Sequence, residues 1–286
     1  MNIDAFRCMQ RGVQLYTLSQ KDSSLLAPIN QRSGKKDRAL LLLHGFSSSP
    51  AVFRHFMPFL SSCYDAILCP ALLGHADSLE AFAAAKGNDW YTQAEENCKL
   101  LVNEFEQVDV MGLSLGGLLA CHLSSQFNLH HLYLLAPALD LQFKLSQVLK
   151  LVKVLNWLKF SRIKNAAGNL YASQHCEIAY RQLPLTSIIE MLNLVQQFQF
   201  KLPTCPTDLF LGCHDKVVAS WRVADRFADK TNINIHWLTN SAHVLPLDAD
   251  IEKILACIKQ DHLDESYSNS NKSVPSRVKI SAKTIK

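Results

Sequence analysis

The chain reads Gly112-Leu113-Ser114-Leu115-Gly116-Gly117 between an apolar run, Val108–Met111, and a helix-like run, Leu118–Cys121. A serine with glycines two positions to either side, at a strand-to-helix junction, is typical of the tight turn that exposes a nucleophilic hydroxyl. A side chain at a flanking position would collide with neighbouring backbone, so glycine is required there. The turn also places the hydroxyl at the positive end of the following helix. The stretch therefore predicts Ser114 as a nucleophile.

Short apolar runs alternate with longer amphipathic segments through most of the chain. Continuous apolar runs suit strands that are buried on both faces of a parallel sheet. Their alternation with helices predicts a mostly parallel, doubly wound α/β sheet built from residues 39–139 and 204–261, with its ligand at the carboxyl ends of the strands. The predicted strands are Ala39–Leu43, Ala66–Cys69, Val108–Met111, His131–Leu135, Asp208–Leu211 and Ile233–Leu238, and the predicted helices are Ala51–Leu60, Trp90–Glu106 with Asp89 as N-cap, Leu115–Gln126, Trp221–Lys230 and Ile251–Asp261.

Residues 140–203 interrupt this alternation. They contain no good strand, only the helix-like segments Leu145–Phe160 and Leu185–Phe198. No acidic residue occurs from Leu141 to Cys176, whereas six basic residues do. We expect a helical lid over the carboxyl edge of the sheet, and the alternative is ordinary packing helices of the main domain.

The two ends of the chain have a different character. Residues 1–38 form an N-terminal extension with a short predicted helix over Ile3–Leu18 and a linker. Residues 262–286 are rich in Ser, Asn and Lys and supply +3 of the net charge of +4. This composition predicts a disordered, solvated basic tail. We expect no nucleic-acid partner.

Composition bounds the class of protein. Of the 286 residues, 48% are apolar and 19% are charged, which allows a sizeable core. No apolar run is long enough to span a bilayer, and the N-terminus lacks the basic-then-apolar order of a secretory signal. The nine cysteines include no Cys-x-x-Cys pair. We therefore expect free buried thiols in a cytoplasmic protein.

A serine nucleophile needs a base, and the base needs an orienting acid. Among the eleven histidines, His243 follows the last predicted strand, where a loop can carry the imidazole to Ser114. Asp215 follows the run that ends at Gly212, a position that also suits a turn former or helix cap. Ser114, Asp215 and His243 thus follow three strands in an order known for such triads. Asp140 is an alternative acid, which we expect to be a loop residue.

Two backbone N–H groups are expected to face the oxyanion that forms during acyl transfer. Leu115, next to the nucleophile, supplies one. The loop after the first strong strand supplies the other, where Gly45 permits close approach and Phe46 is the donor. We expect His44 to shape this loop rather than to transfer protons.

Cofactor and metal motifs are absent from the sequence. There is no phosphate-binding loop and no dinucleotide fingerprint, so no cofactor is predicted. The pair His130-His131 has no cysteine or carboxylate at metal-ligand spacing, so no metal site is predicted either.

The motifs His44-Gly45-Phe46, Gly112 to Gly117, Gly212 to Asp215 and Ser241-Ala242-His243 together resemble those of α/β-hydrolases, and most of all bacterial carboxylesterases and monoacylglycerol lipases. The resemblance spans residues 39–258. It implies a serine hydrolase of carboxylic esters with Ser114, Asp215 and His243 as its triad and Phe46 and Leu115 as its oxyanion hole. The chain departs from the family pattern at Ala76, where glycine is usual.

The substrate follows only in outline. An apolar lid favours an ester with an acyl chain, and the lid lysines favour contact with an anionic membrane surface. A thioesterase or an acyltransferase would use the same triad and stays an alternative. A non-catalytic binding protein of the same fold is the third hypothesis.

Overall fold

A computed structural model describes residues 3–172, 174–228 and 230–272 of the chain. All six predicted strands are present, each within two residues of its predicted bounds at either end. The structure adds six strands that the apolar pattern did not indicate. The strands are β1 (Phe6–Gln10), β2 (Val13–Thr17), β3 (Ile29–Arg32), β4 (Arg38–Leu43), β5 (Ala66–Cys69), β6 (Gln107–Leu113), β7 (His131–Leu135), β8 (Arg162–Lys164), β9 (Glu177–Tyr180), β10 (Gln182–Pro184), β11 (Thr207–Gly212) and β12 (Ile233–Leu238).

The main sheet has seven strands in the order β12-β11-β7-β6-β4-β5-β3. Six of them run parallel, and β3 pairs antiparallel with β5 at one edge. Strands β4, β7 and β11 are buried at every residue, which explains their continuous apolar sequence. The mostly parallel α/β architecture predicted from the sequence is confirmed.

Helices cover both faces of this sheet. One face packs against α4 (Leu115–Ser124) and α3 (Gly87–Glu104), and the other packs against α1 (Met57–Cys63) and α8 (Ile251–Lys272). Asp89 lies in the first turn of α3 rather than at its N-cap, and accepts the Lys86 N–H at 2.8 Å. The helices are α1 (Met57–Cys63), α2 (Leu79–Ala84), α3 (Gly87–Glu104), α4 (Leu115–Ser124), α5 (Leu145–Trp157), α6 (Leu185–Gln197), α7 (Ser220–Phe227) and α8 (Ile251–Lys272).

The N-terminal extension differs from its prediction. Instead of a helix over Ile3–Leu18, it forms the hairpin β1–β2, and β1 pairs with β9 in a three-stranded antiparallel sheet. The prediction that residues 140–203 lack strands is also wrong, since β8, β9 and β10 lie between α5 and α6. The partner of β1 lies more than 160 residues away in the chain, so local sequence gave no sign of that pairing.

Helix α8 extends eleven residues past the predicted start of the tail, to Lys272. The tail prediction therefore differs from the structure over 262–272, and residues 273–286 lie outside the described residues. Among the helices that the structure describes, none combines the length and apolar character needed to cross a membrane.

The cysteines depart from expectation at one pair. Cys8 on β1 and Cys176 beside β9 form a disulfide, with their Cα atoms 5.6 Å apart. The other seven cysteines are free, and four of them are buried. The expectation of free thiols is thus wrong for Cys8 and Cys176, because the hairpin brings together residues 168 positions apart.

Candidate active site

Ser114 lies between β6 and α4, at the carboxyl edge of the main sheet. Its φ of 54° and ψ of −111° are unusual for an L-residue and cost about 1–3 kcal/mol. Backbone hydrogen bonds hold this conformation: the Ser114 N–H donates to the Leu135 carbonyl at 2.9 Å, and the Ser114 carbonyl accepts from Leu118 and Ala138. The predicted tight turn therefore exists, and it directs Ser114 into a cavity.

The glycines of the turn allow α4 to lie directly against the sheet. A Cβ on Gly116 would overlap the carbonyl oxygen of Leu43, and a Cβ on Gly112 would overlap that of Gly116. A Cβ on Gly117 would lie 2.8 Å from the Cα of Pro137. These contacts are with backbone, which cannot rotate away.

We expect Gly116→Ala to lower the free energy of unfolding by about 3 kcal/mol or more, because α4 must move off β4. The gain in helix propensity, about 1 kcal/mol, is smaller than the free energy that the steric overlap costs. Urea denaturation followed by circular dichroism measures the change. Gly87→Ala is the control, since its Cβ would lie 3.3 Å from the end of the flexible Leu194 side chain. Equal stability of the two variants would contradict the close-packing account.

His243 and Asp215 are joined by a hydrogen bond, with His243 Nδ1 donating to Asp215 Oδ2 at 2.8 Å. The other carboxylate oxygen, Oδ1, accepts the N–H groups of Val217 and Val218 at 2.7 and 2.8 Å. Both oxygens of Asp215 are therefore fixed, and Nε2 is the ring nitrogen of His243 left to act toward Ser114. His243 and Ser114 line the same cavity.

The charges around His243 favour its protonated form. Burial alone would lower its pKa, but the Asp215 carboxylate, through its charge and its hydrogen bond, and the charge of Glu177 together raise the pKa of His243 above its ordinary value. A base with a raised pKa accepts a proton from a serine hydroxyl more readily, provided that the pH leaves the ring neutral.

The loop after β4 lies beside Ser114. A Cβ on Gly45 would lie 3.4 Å from the Cβ of Ser114, so this loop passes close to the candidate nucleophile. His44 fixes the loop: its Nδ1 donates to the Gly45 carbonyl at 2.9 Å and its Nε2 accepts the Leu72 N–H at 3.0 Å. Burial lowers the pKa of His44 to about 4, so the ring is neutral. His44 thus shapes the loop, and its neighbour Phe46 lines the cavity.

Leu115, the other predicted donor, is the first residue of α4. The N–H groups of a first helical turn have no acceptor within their own helix and point along its axis. The Leu115 N–H is therefore available at the end of α4, next to Ser114. The five residues predicted for the site, Phe46, Ser114, Leu115, Asp215 and His243, thus gather at one edge of the sheet.

The cavity in front of Ser114 has a volume of about 380 Å³. Apolar side chains from residues 140–203 form much of its wall. This suits a ligand with a hydrocarbon portion. The apolar lining residues of that segment include Leu141, Phe143, Ile163, Leu183, Ile188, Met191 and Leu192.

Three polar residues at the site were not identified from the sequence. Asn169 connects the two loops, since its carbonyl accepts the His243 N–H at 3.0 Å and its Oδ1 accepts the Lys216 N–H at 3.1 Å. Asp248 accepts the Ala242 N–H at 2.8 Å. Glu177 lines the cavity, and burial raises its pKa. An acidic residue directly before the apolar run Ile178-Ala179 was the one sequence signal for Glu177.

Asp140, His75 and His214 take part in structural contacts. Asp140, the alternative acid, pairs with Arg222 at 2.9 Å instead of approaching His243. His75 is buried in a cluster of aromatic rings. His214 stacks on Tyr171, with ring centroids 4.1 Å apart.

Residues 40–256 match the family described as the alpha/beta hydrolase family. The chain belongs to this family. Its sequence is 26% identical over 225 residues to a thermostable monoacylglycerol lipase of Bacillus sp. (strain H-257), covering 76% of this chain and 86% of that protein. It is 20% identical over 220 residues to a carboxylesterase of Bacillus subtilis (strain 168), covering 75% and 87%. These similarities support ester hydrolysis by a serine hydrolase.

Solved structures share the fold. A structure from work on the metagenome-derived lipolytic enzymes LipS and LipT aligns with a TM-score of 0.73 at 21% identity, covering 84% of this chain and 98% of that one. A soluble variant of the monoglyceride lipase of Saccharomyces cerevisiae aligns with a TM-score of 0.62 at 15% identity, covering 83% and 90%. The alpha/beta hydrolase architecture predicted from the motifs is confirmed.

Proposed function

We propose that this alpha/beta hydrolase cleaves carboxylic esters through an acyl-enzyme on Ser114. The observation that carries the proposal is the Asp215–His243 hydrogen bond of 2.8 Å, with His243 in the same cavity as a serine held in a tight turn. Each residue alone has a structural explanation. A serine and a histidine that share one cavity, with the histidine oriented by a carboxylate, are what a nucleophilic mechanism requires.

The reaction follows from this arrangement. Ser114 Oγ attacks the acyl carbon while His243 Nε2 takes the hydroxyl proton, and Asp215 stabilises the imidazolium that forms. The N–H groups of Phe46 and Leu115 bind the oxyanion. The bond from carbon to the alcohol oxygen then breaks, and His243 gives its proton to the leaving alcohol. Water repeats the sequence, releases the acid and restores Ser114.

A series of p-nitrophenyl esters with acyl chains of increasing length tests this function. We expect hydrolysis across the series, with a preference for chains that fill the cavity of about 380 Å³. Replacing the alcohol by a coenzyme A thioester in a parallel assay separates an esterase from a thioesterase. Turnover of the thioester without turnover of any oxygen ester would contradict the proposal.

We further propose that residues 140–203 form the lid and that its apolar wall holds the acyl chain. Met191→Trp makes the cavity narrower, because Met191 on α6 is buried and lines the cavity. We expect kcat/KM for a dodecanoate ester to fall about tenfold, with a butanoate ester little changed. Leu151→Trp, on the exposed side of α5, is the control. Equal losses on both esters would show that Met191 does not select chain length.

The exposed side of α5 supports a second proposal, peripheral contact with an anionic membrane. Trp157 is 77% exposed, and other exposed apolar residues lie near it in the sequence. Lys150, Lys153 and Lys159 are exposed on the same segment, so apolar and cationic groups face solvent together. Such a surface binds the boundary between lipid head groups and acyl chains. The other exposed apolar residues of this stretch are Leu151, Val154, Leu158 and Phe160.

Co-sedimentation with vesicles tests this contact. We expect binding to vesicles that contain phosphatidylglycerol, and a loss of about 100-fold when the three lysines are replaced by alanine, at about 1 kcal/mol each. Trp157→Ala removes the apolar anchor and weakens binding too. Trp221→Ala is its control, since Trp221 is 71% exposed on α7. Binding that ignores the anionic lipid would contradict the proposal.

We propose the cytoplasm as the location, on the seven free cysteines. Because the structure pairs Cys8 with Cys176, this location requires that the reducing compartment open that one disulfide. The hairpin β1–β2 then stays in place through its pairing with β9.

A further inference from the structure

A second cluster of polar side chains lies at the amino end of the main sheet, on the face that α8 covers. Its centre is Asp208 on β11, whose side chain is 1% exposed. His236 on the neighbouring strand β12 and Cys257 on α8 meet the same carboxylate oxygen, Oδ1. Asp208 precedes Gly212 by four residues of strand, about 13 Å, so the cluster is separate from the site of Ser114.

The distances within this cluster are close to those around a tetrahedral zinc ion. Zinc binds sulfur at about 2.3 Å and nitrogen or oxygen at about 2.0–2.1 Å, which places a sulfur about 3.5 Å from each other ligand atom. Cys257 Sγ lies 3.4 Å from Asp208 Oδ1 and 3.7 Å from His236 Nε2. The remaining pair, His236 Nε2 and Asp208 Oδ1, is 2.6 Å apart as a hydrogen bond. This pair alone must widen, by about 0.7 Å, to admit the ion.

The carboxylate at the centre is held in place by neighbouring side chains. His131 Nε2 lies 2.7 Å from the other oxygen, Oδ2, and Asn234 Nδ2 donates to Oδ1 at 3.2 Å, so both oxygens of Asp208 are oriented by protein groups. Buried partners of this kind commonly orient the ligands of a metal. Asp261, one helical turn after Cys257, adds negative charge beside the cluster.

A cation can reach the cluster from solvent. The His236 side chain is 34% exposed and the Asp261 side chain is 21% exposed. The cluster therefore opens on one side, where a water molecule can complete the coordination. Three protein ligands with one open position is a common zinc arrangement.

We infer that Asp208, His236 and Cys257 form a binding site for a zinc ion, with water as the fourth ligand. Zinc displaces the Cys257 thiol proton to solvent and binds His236 through Nε2, so the neutral ring keeps its proton on Nδ1. The ion would join β11, β12 and α8 at the end of the sheet opposite Ser114. The ligands are 28 and 21 residues apart, which is why no sequence motif indicated them.

Titration of the full-length, reduced protein with Co²⁺ tests this site. Cobalt takes zinc geometry, and a bound thiolate gives it a charge-transfer band in the near ultraviolet. We expect one equivalent of Co²⁺ to produce this band together with the visible bands of tetrahedral cobalt, and one equivalent of Zn²⁺ to remove both. Zn²⁺ should also raise Tm, because the folded protein brings the three ligands together and so binds the ion more tightly than the unfolded chain does.

Cys257→Ser should abolish the charge-transfer band, while Cys63→Ser, at another half-buried free thiol, should keep it. Ester hydrolysis by each variant shows whether it is folded, because the cluster lies away from Ser114 and its loss should leave the activity unchanged. If Cys257→Ser does not fold, His236→Gln replaces it, with Co²⁺ binding expected to weaken at least about tenfold. A band that persists in Cys257→Ser, unweakened binding in His236→Gln, or no band in the unaltered protein would each overturn the inference.

Discussion

Ser114→Ala should lower kcat for ester hydrolysis by about 10⁴- to 10⁶-fold. The variant keeps the cavity and the backbone N–H groups of Phe46 and Leu115, so it can still bind substrate and retains a small residual rate. KM should therefore change much less than kcat. Steady-state kinetics on a p-nitrophenyl ester measures both constants.

Alanine fits at position 114 without steric conflict, so the loss is one of chemistry rather than folding. Ser124→Ala is the matched control: it removes a buried serine from the far end of α4, where the hydroxyl donates to the Cys121 carbonyl at 2.8 Å. This variant should hydrolyse esters at close to the original rate. Near-normal activity in Ser114→Ala would overturn the proposed role of Ser114.

Asp215→Asn should lower kcat by about 10⁴-fold, and the local geometry gives the reason. The N–H groups of Val217 and Val218 donate to Oδ1, so the amide oxygen of asparagine must take that position. Its NH₂ group then faces His243 Nδ1 and turns that nitrogen into an acceptor. The neutral ring carries its proton on Nε2, where it cannot take one from Ser114.

The same substitution should move the pH profile. The unaltered enzyme needs neutral His243, so kcat/KM rises with pH through the pKa of that ring, which lies above the ordinary value of about 6.5. Removing the Asp215 charge lowers this pKa, and the acid limb should shift to lower pH. Asp140→Asn, at the alternative acid, should change neither rate nor profile. An unmoved limb in Asp215→Asn would contradict the assigned pairing.

Local sequence was enough to predict the frame of the site. Strands such as β4 and β7 are buried on both faces, so their sequences are continuous apolar runs. The turn around Ser114 is likewise local, because close backbone contacts at Gly112 and Gly116 exclude any side chain. Asp215 and His243 could be proposed together because parallel strands bring their carboxyl ends to one edge.

The features that the sequence did not predict depend on contacts between residues that are distant in the chain. The segment predicted as a helix near the N-terminus forms β1 because β9, more than 160 residues away, offers it a partner. Glu177 reaches the cavity through that same pairing. Asn169 acts chiefly through its backbone carbonyl. A backbone contact does not require a particular side chain, so the residue type at this position gave no signal. Asp208 lay within a predicted strand, where its meeting with His236 and Cys257 depends on how α8 covers the sheet.

Mass spectrometry of the protein after reaction with a fluorophosphonate ester tests whether Ser114 is the activated nucleophile. This reagent phosphonylates a serine activated by an adjacent base and an oxyanion hole. We expect one added phosphonyl group, on the peptide that contains Ser114, with no labelling of Ser114→Ala and full labelling of Ser124→Ala. A label on any other residue, or an unaltered protein that takes up none, would show that Ser114 is not the nucleophile.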